Sequence, residues 1–105
     1  LNRFRYRLLD LIKVAGKTKS VKVYEVYGLC SEEFSSKDLD YYNNYQQGVQ
    51  EYLNKNFSTA DNKLHYCLSL RPNDLPARKM IDRIHGLNPK QVPKDWDGST
   101  SLLEK

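Results

Sequence analysis

Cysteine, histidine and long apolar runs are all scarce in this chain, and each scarcity closes off a class of explanation. Two cysteines, Cys30 and Cys67, among 105 residues are too few for a disulfide framework or a cysteine-based zinc site. They fit a reducing interior, and a cytoplasmic location is expected. No apolar run approaches the roughly 20 residues needed to span a bilayer, so no membrane segment is expected in this piece. The amino end, Leu1-Asn2-Arg3-Phe4-Arg5, lacks the apolar stretch of a signal peptide and does not begin with Met, which reads as a piece cut from a longer chain. The two histidines, His65 and His85, have no carboxylate or cysteine at ligand spacing from both, so no metal site is expected. No Ser-His-Asp order and no glycine-rich phosphate loop occurs. No catalytic residue is assigned.

What is present is charge and aromatic side chains, unevenly placed. The net charge of +4 divides into +6 over residues 1–22, where Asp10 alone opposes seven lysines and arginines, and −2 over the rest. A basic head of this kind suits phosphates or one solvated strand face. Within it Phe4, Tyr6 and Leu8 alternate with Arg3, Arg5 and Arg7, the period-2 pattern of a half-buried strand. The doublet Leu8-Leu9 interrupts the alternation and marks a bulge. A turn over 15–20 holds Gly16, suited to positive φ, and Val21 to Tyr27 reads as the returning strand. A lone hairpin is marginal in water, and this one carries apolar groups on more than one face. It looks like the last ribbon of a larger sheet.

After a linker, Tyr41, Tyr42, Tyr45, Val49, Tyr52 and Leu53 recur at helical steps from about Leu39 to Asn54, with Ser36 or Asp38 as N-cap. A second helix, capped by Ser58, turns Ala60, Leu64, Tyr66, Cys67 and Leu68 inward and stops at Pro72. A third runs from Asp74 or Leu75 to His85, with Ala77, Met80, Ile81 and Ile84 inward and Gly86 beyond its end. The fold class is thus α+β: an N-terminal β-hairpin, an α-helical hairpin and a third helix. The chain divides into 1–28, the hairpin; 29–37, a linker; 38–87, the helices; and 88–105, an extended tail anchored by Trp96, the only tryptophan.

The helical pair resembles a tetratricopeptide repeat. Gly48 stands where the first helix needs a small residue, Ala60 at the crossing point, Leu64 and Cys67 on the same face, and Pro72 at the end; the family repeats at roughly 34 residues. Asn44 and Gln47 depart from it, standing where the family has large apolar groups. One and a half repeats are expected to lean on something else. Tyr41, Tyr42, Tyr45 and Tyr52 cannot all face one core stripe; with Trp96 they form the candidate surface for a peptide or for packing on a neighbouring domain.

The head resembles the end of a class III nucleotide cyclase. The residues are Phe4-Arg5-Tyr6-Arg7-Leu8-Leu9-Asp10, then Ile12 to Lys17, then Val21-Lys22-Val23-Tyr24-Glu25-Val26. The family ends with a Leu-Asp, a Val-Lys-Gly-Lys turn and a Val-Tyr-Glu-Val strand. The helical tail of many bacterial cyclases is similar to Ala60, Pro72 to Ala77, Arg83 and Trp96-Asp97-Gly98 here. The resemblance implies that residues 1–28 close a catalytic domain. It implies Lys17 and Lys13 as phosphate contacts, because Ala15 replaces the family's first turn lysine, although the bland alternative for Lys17 is a solvated hairpin tip. It places the metal-binding carboxylates upstream of Leu1, with Mg or Mn expected for the parent enzyme and no cofactor in this fragment. The fragment itself would be non-catalytic, a structural, regulatory or dimerisation appendage of an enzyme making cyclic AMP or cyclic GMP in signalling. The partners implied are its own upstream catalytic domain and a second chain in a homodimer. The parent could be membrane-anchored through an upstream sensor. Two other readings are a free-standing tetratricopeptide-like adaptor binding a peptide partner, and a small RNA-binding protein using Arg3, Arg5 and Arg7. The expectation adopted is no nucleic acid.

Overall fold

A computed structural model describes residues 3–14, 16 and 19–101. Strand β1 (Phe4–Lys13) pairs antiparallel with β2 (Ser20–Leu29). Helices α1 (Ser36–Leu53), α2 (Phe57–Leu70) and α3 (Leu75–His85) follow, then a 3-10 turn at Pro89–Gln91 and a short strand β3 (Thr100–Ser101). The architecture is α+β, a β-hairpin followed by three helices. The described residues divide into two compact units: the hairpin with the chain from Asp95 onward, and the helices with their flanks from Phe34 to Lys94.

In the hairpin unit the register slips between Leu8 and Asp10. The extra residue there is Leu9, as the apolar doublet predicts, and a bulge of this kind adds twist to the ribbon. A second slip near Arg5 and Tyr6 leaves Tyr27 as the extra residue on β2. Because residues directly opposite share a face, the pairs Phe4–Leu29, Tyr6–Val26 and Leu8–Tyr24 place these six side chains on one side of the ribbon. Tyr6 and Tyr24 meet edge to face, with ring centroids 5.1 Å apart. Gly16 takes φ +81 in the connecting turn, as expected. The third strand is an addition to the expected architecture: Thr100 and Ser101 pair parallel with Ile12 and Lys13, giving the order β2-β1-β3.

In the helical unit the expected inner faces are found. Tyr41, Tyr45, Val49 and Tyr52 of α1, Ala60, Leu64, Cys67 and Leu68 of α2, and Ala77, Met80, Ile81 and Ile84 of α3 are buried. The starting points differ slightly. Ser35, rather than Ser36 or Asp38, caps α1 by accepting the Asp38 backbone N–H at 3.1 Å. Helix α2 begins at Phe57 behind Asn56 instead of behind Ser58. Tyr66 lies outside the core, 42% exposed, its hydroxyl donating to the Asp40 carboxylate. Helix α3 packs on α2, with its apolar stripe buried.

The crossing of α1 and α2 depends on Gly48. A Cβ there would sit 3.0 Å from Leu64 Cγ and 3.1 Å from Cδ2, and Leu64 is fully buried. Replacing the glycine adds about 1 kcal/mol of helix propensity, but overpacking a closed core costs about 1–3 kcal/mol. Gly48→Ala is therefore expected to lower stability slightly in urea unfolding, and Gly48→Val to lower it by about 3 kcal/mol, since the branched side chain also loses propensity. A more stable Gly48→Val chain would contradict this packing.

Candidate functional site

Bare apolar surface is concentrated on the hairpin. Phe4, Tyr6, Val14, Val21, Tyr24, Val26 and Leu29 are each between 37% and 57% exposed, whereas in the helical unit only Tyr66 and Leu75 among the described residues are large hydrophobics left open. Five of these, Phe4, Tyr6, Tyr24, Val26 and Leu29, belong to the single ribbon face defined by the register. A contiguous exposed patch of this kind is uncommon unless something docks on it.

The basic character of the hairpin is partly consumed inside it. Arg7 is 8% exposed, and its Nε donates to Glu25 Oε1 at 3.1 Å, directly across the ladder. Arg5 is half-buried and Arg3 exposed. Lys13, the described member of the two candidate phosphate contacts, ends β1 and is half-buried. Lys17 lies outside the described residues.

The candidate aromatic surface is distributed differently from the expectation. Tyr41 and Tyr45 are fully buried and Tyr52 nearly so, so one core stripe does hold three of the four α1 tyrosines. Tyr42 is half-buried and belongs to a cluster the sequence did not reveal. The Arg71 guanidinium lies 4.2 Å from the Tyr41 ring centroid and 4.8 Å from that of Tyr42. Its Nη1 donates to the Tyr42 hydroxyl at 3.1 Å and its Nη2 to Asp38 Oδ1 at 2.8 Å. The Tyr41 hydroxyl donates to Asp74, which also caps α3 by accepting the Ala77 N–H at 3.2 Å. Hydrogen bonds from Arg71 and from Ser35 hold the Asp38 carboxyl below its ordinary range. Partial burial pushes Arg71 down, but its bonds to Tyr42 and Asp38 outweigh that and leave it raised. This network joins the start of α1 to the turn between α2 and α3. A shallow, open depression of about 330 Å³ beside it is lined by Arg71, Pro72, Asn73 and Asp74.

The two histidines, far apart in sequence, meet on one carboxylate. His85 Nε2 lies 2.9 Å from Asp61 Oδ1, and His65 Nδ1 lies 3.4 Å from the same atom, with the rings stacked at 6.0 Å. The spacing Asp61/His65 is visible in sequence as an i, i+4 pair; the arrival of His85 from α3 is not. Among the described residues no group of three or more His, Cys, Asp or Glu is placed to hold a metal ion. Cys30 is exposed, and Cys67 is buried with its thiol 3.6 Å from the Tyr41 carbonyl oxygen. No helix among the described residues is long and apolar enough to cross a membrane.

Trp96 is half-buried in the unit formed with the hairpin. Beside it, Asp97 accepts from the Ser20 hydroxyl and from the Ser99 backbone N–H, the latter at 2.9 Å. Comparison with protein-family models, with curated proteins and with solved structures found no match.

Desolvation pushes the Asp97 carboxyl up, but its bonds to Ser20 and Ser99 and the nearby charge of Lys13 prevail and bring it down to about 2. A carboxyl depressed in the folded state adds stability that is complete above its ordinary value and is lost as pH falls through the folded one. The Trp96 environment is therefore expected to change between about pH 4 and pH 2, ahead of the helical signal. Asp97→Asn is expected to remove that step. A pH profile of Trp96 fluorescence identical in the two proteins would contradict the assignment.

Proposed function

We propose that the chain is the C-terminal region of a bacterial class III nucleotide cyclase, with its hairpin as the closing ribbon of the catalytic sheet. The helical unit is then an appendage that supports the pairing of two chains. The observation that carries this reading is the contrast between the two units. The helices cover their own apolar stripes, while one face of the ribbon leaves Phe4, Tyr6, Tyr24, Val26 and Leu29 open. Side chains of this size on a solvated face cost stability and solubility, whereas a ribbon completing a larger sheet requires them. The order of motifs along the chain supports the reading: the Leu-Asp at Leu9-Asp10, the glycine turn at Gly16, the closing Val23-Tyr24-Glu25-Val26 and the late Trp96-Asp97-Gly98.

On this reading the partners are the chain's own upstream catalytic domain and a second copy of the same protein. The parent enzyme forms cyclic AMP or cyclic GMP with Mg²⁺ or Mn²⁺. No metal is assigned to the residues of this chain, and by itself it is not catalytic. Lys17 and Lys13, the latter at the end of β1, remain the candidate phosphate contacts. A peptide-binding adaptor is the competing reading. It loses much of its candidate surface to the core, where Tyr41, Tyr45 and Tyr52 are buried, and it leaves the bare ribbon face without a purpose.

The test is complementation. Residues 1–105 joined to a class III catalytic domain that lacks its own closing ribbon are expected to restore cyclic nucleotide formation. The double substitution Tyr6→Ser, Tyr24→Ser is expected to cut that activity by about tenfold or more, through lost apolar burial, with the helical far-UV signal intact. A joined protein that folds but forms no cyclic nucleotide would overturn the reading.

A further inference from the structure

We propose that the segment Trp96–Ser101 is a releasable strap that locks the turn end of the hairpin by gripping both of its strands. Three features of the described residues place the grip there. Asp97 takes the Ser20 hydroxyl, at the first residue of β2. Three residues later, Thr100 and Ser101 pair with Ile12 and Lys13, the last residues of β1. Between them, Gly98 is buried and adopts φ +86, a left-handed conformation that side-chain-bearing residues resist. The Ser99 N–H donates back to Asp97 at 2.9 Å, an Asx-type turn that aims the carboxylate at β2 while the chain continues along β1.

The strap is built for release rather than permanence. Its strand is two residues long, and the Ser20–Asp97 bond joins two short polar groups at an exposed position. Its parallel pairing touches only the end of β1, so the hairpin ladder from Phe4 to Leu11 does not depend on it. Local opening of such a segment needs little free energy compared with unfolding of a core. Whatever holds or pulls the chain beyond Lys94 thereby sets the stiffness of the hairpin end that carries Lys13. This inference goes beyond the proposed function and stands whether or not the parent is a cyclase.

Amide hydrogen exchange on the full chain tests it. Asp97→Ala is expected to speed exchange at Ile12, Lys13, Val21 and Lys22 by about tenfold or more, as loss of a charge-assisted hydrogen bond implies. Met80, Ile81 and Ile84 in α3 are expected to keep their wild-type rates, and Asp95→Asn is expected to change neither set. Gly98→Ala, which keeps the carboxylate but strains the turn, is expected to reproduce the Asp97→Ala pattern. If Asp97→Ala opens the whole hairpin, Asp97→Asn is read in its place. Wild-type exchange rates at the four hairpin amides in both Asp97→Asn and Gly98→Ala would overturn the strap. So would equal acceleration in α3.

Discussion

A two-stranded ribbon has two faces and little chain with which to cover them, and that constraint organises the rest of this protein. One side of the hairpin holds the buried Arg7 in its cross-strand bond to Glu25. The other side presents Phe4, Tyr6, Tyr24, Val26 and Leu29, with Tyr6 and Tyr24 meeting edge to face. The helical unit buries the inner stripes of its three helices, with α1 and α2 in close approach where Gly48 meets Leu64. The two units thus differ in how much large apolar surface they leave exposed. The functional proposal follows from that inequality more than from any single motif.

Charge follows a similar division. The arginine-rich head looks in sequence like a surface for phosphates, yet Arg7 is spent on Glu25 inside the ribbon and Arg5 is half-buried. Arg3, Phe4 and Tyr6 stay exposed. In the helical unit Arg71 joins the α1 start to the α2–α3 turn through Tyr41, Tyr42 and Asp38. Such a cluster ties the elements together at that end of the unit.

What could be read from the sequence was what periodicity encodes. The inner faces of α2 and α3 appear with their residues named apart from Tyr66, and the Leu8-Leu9 doublet marks the bulge. Gly48 marks the helix crossing, since only a small residue fits against Leu64. What could not be read was contact between distant segments. Strand β3 has two residues, too few to leave a pattern. Tyr66 is expected inward, but at about 100° per residue it falls off the Ala60-Leu64-Cys67 stripe, and its hydroxyl meets Asp40. The four α1 tyrosines do not share one stripe, as their spacing indicates: positions 41, 45 and 52 fall on one helical face, and Tyr42 turns aside toward Arg71. The sequence points to Ser36 or Asp38 as the α1 cap, whereas Ser35, whose hydroxyl suits the role equally, takes it one residue earlier.

The most direct test of the two unequal units is unfolding followed by two probes in one sample. Trp96, the only tryptophan, lies in the hairpin unit, while far-UV circular dichroism at the helical band reports α1, α2 and α3. For the dilute chain the account predicts that the Trp96 transition comes at clearly lower urea than the helical one, and that the two probes trace separate curves. Coincident transitions with a single midpoint would mean that the hairpin is as well supported as the helices, and the claim of an unfinished ribbon would fail.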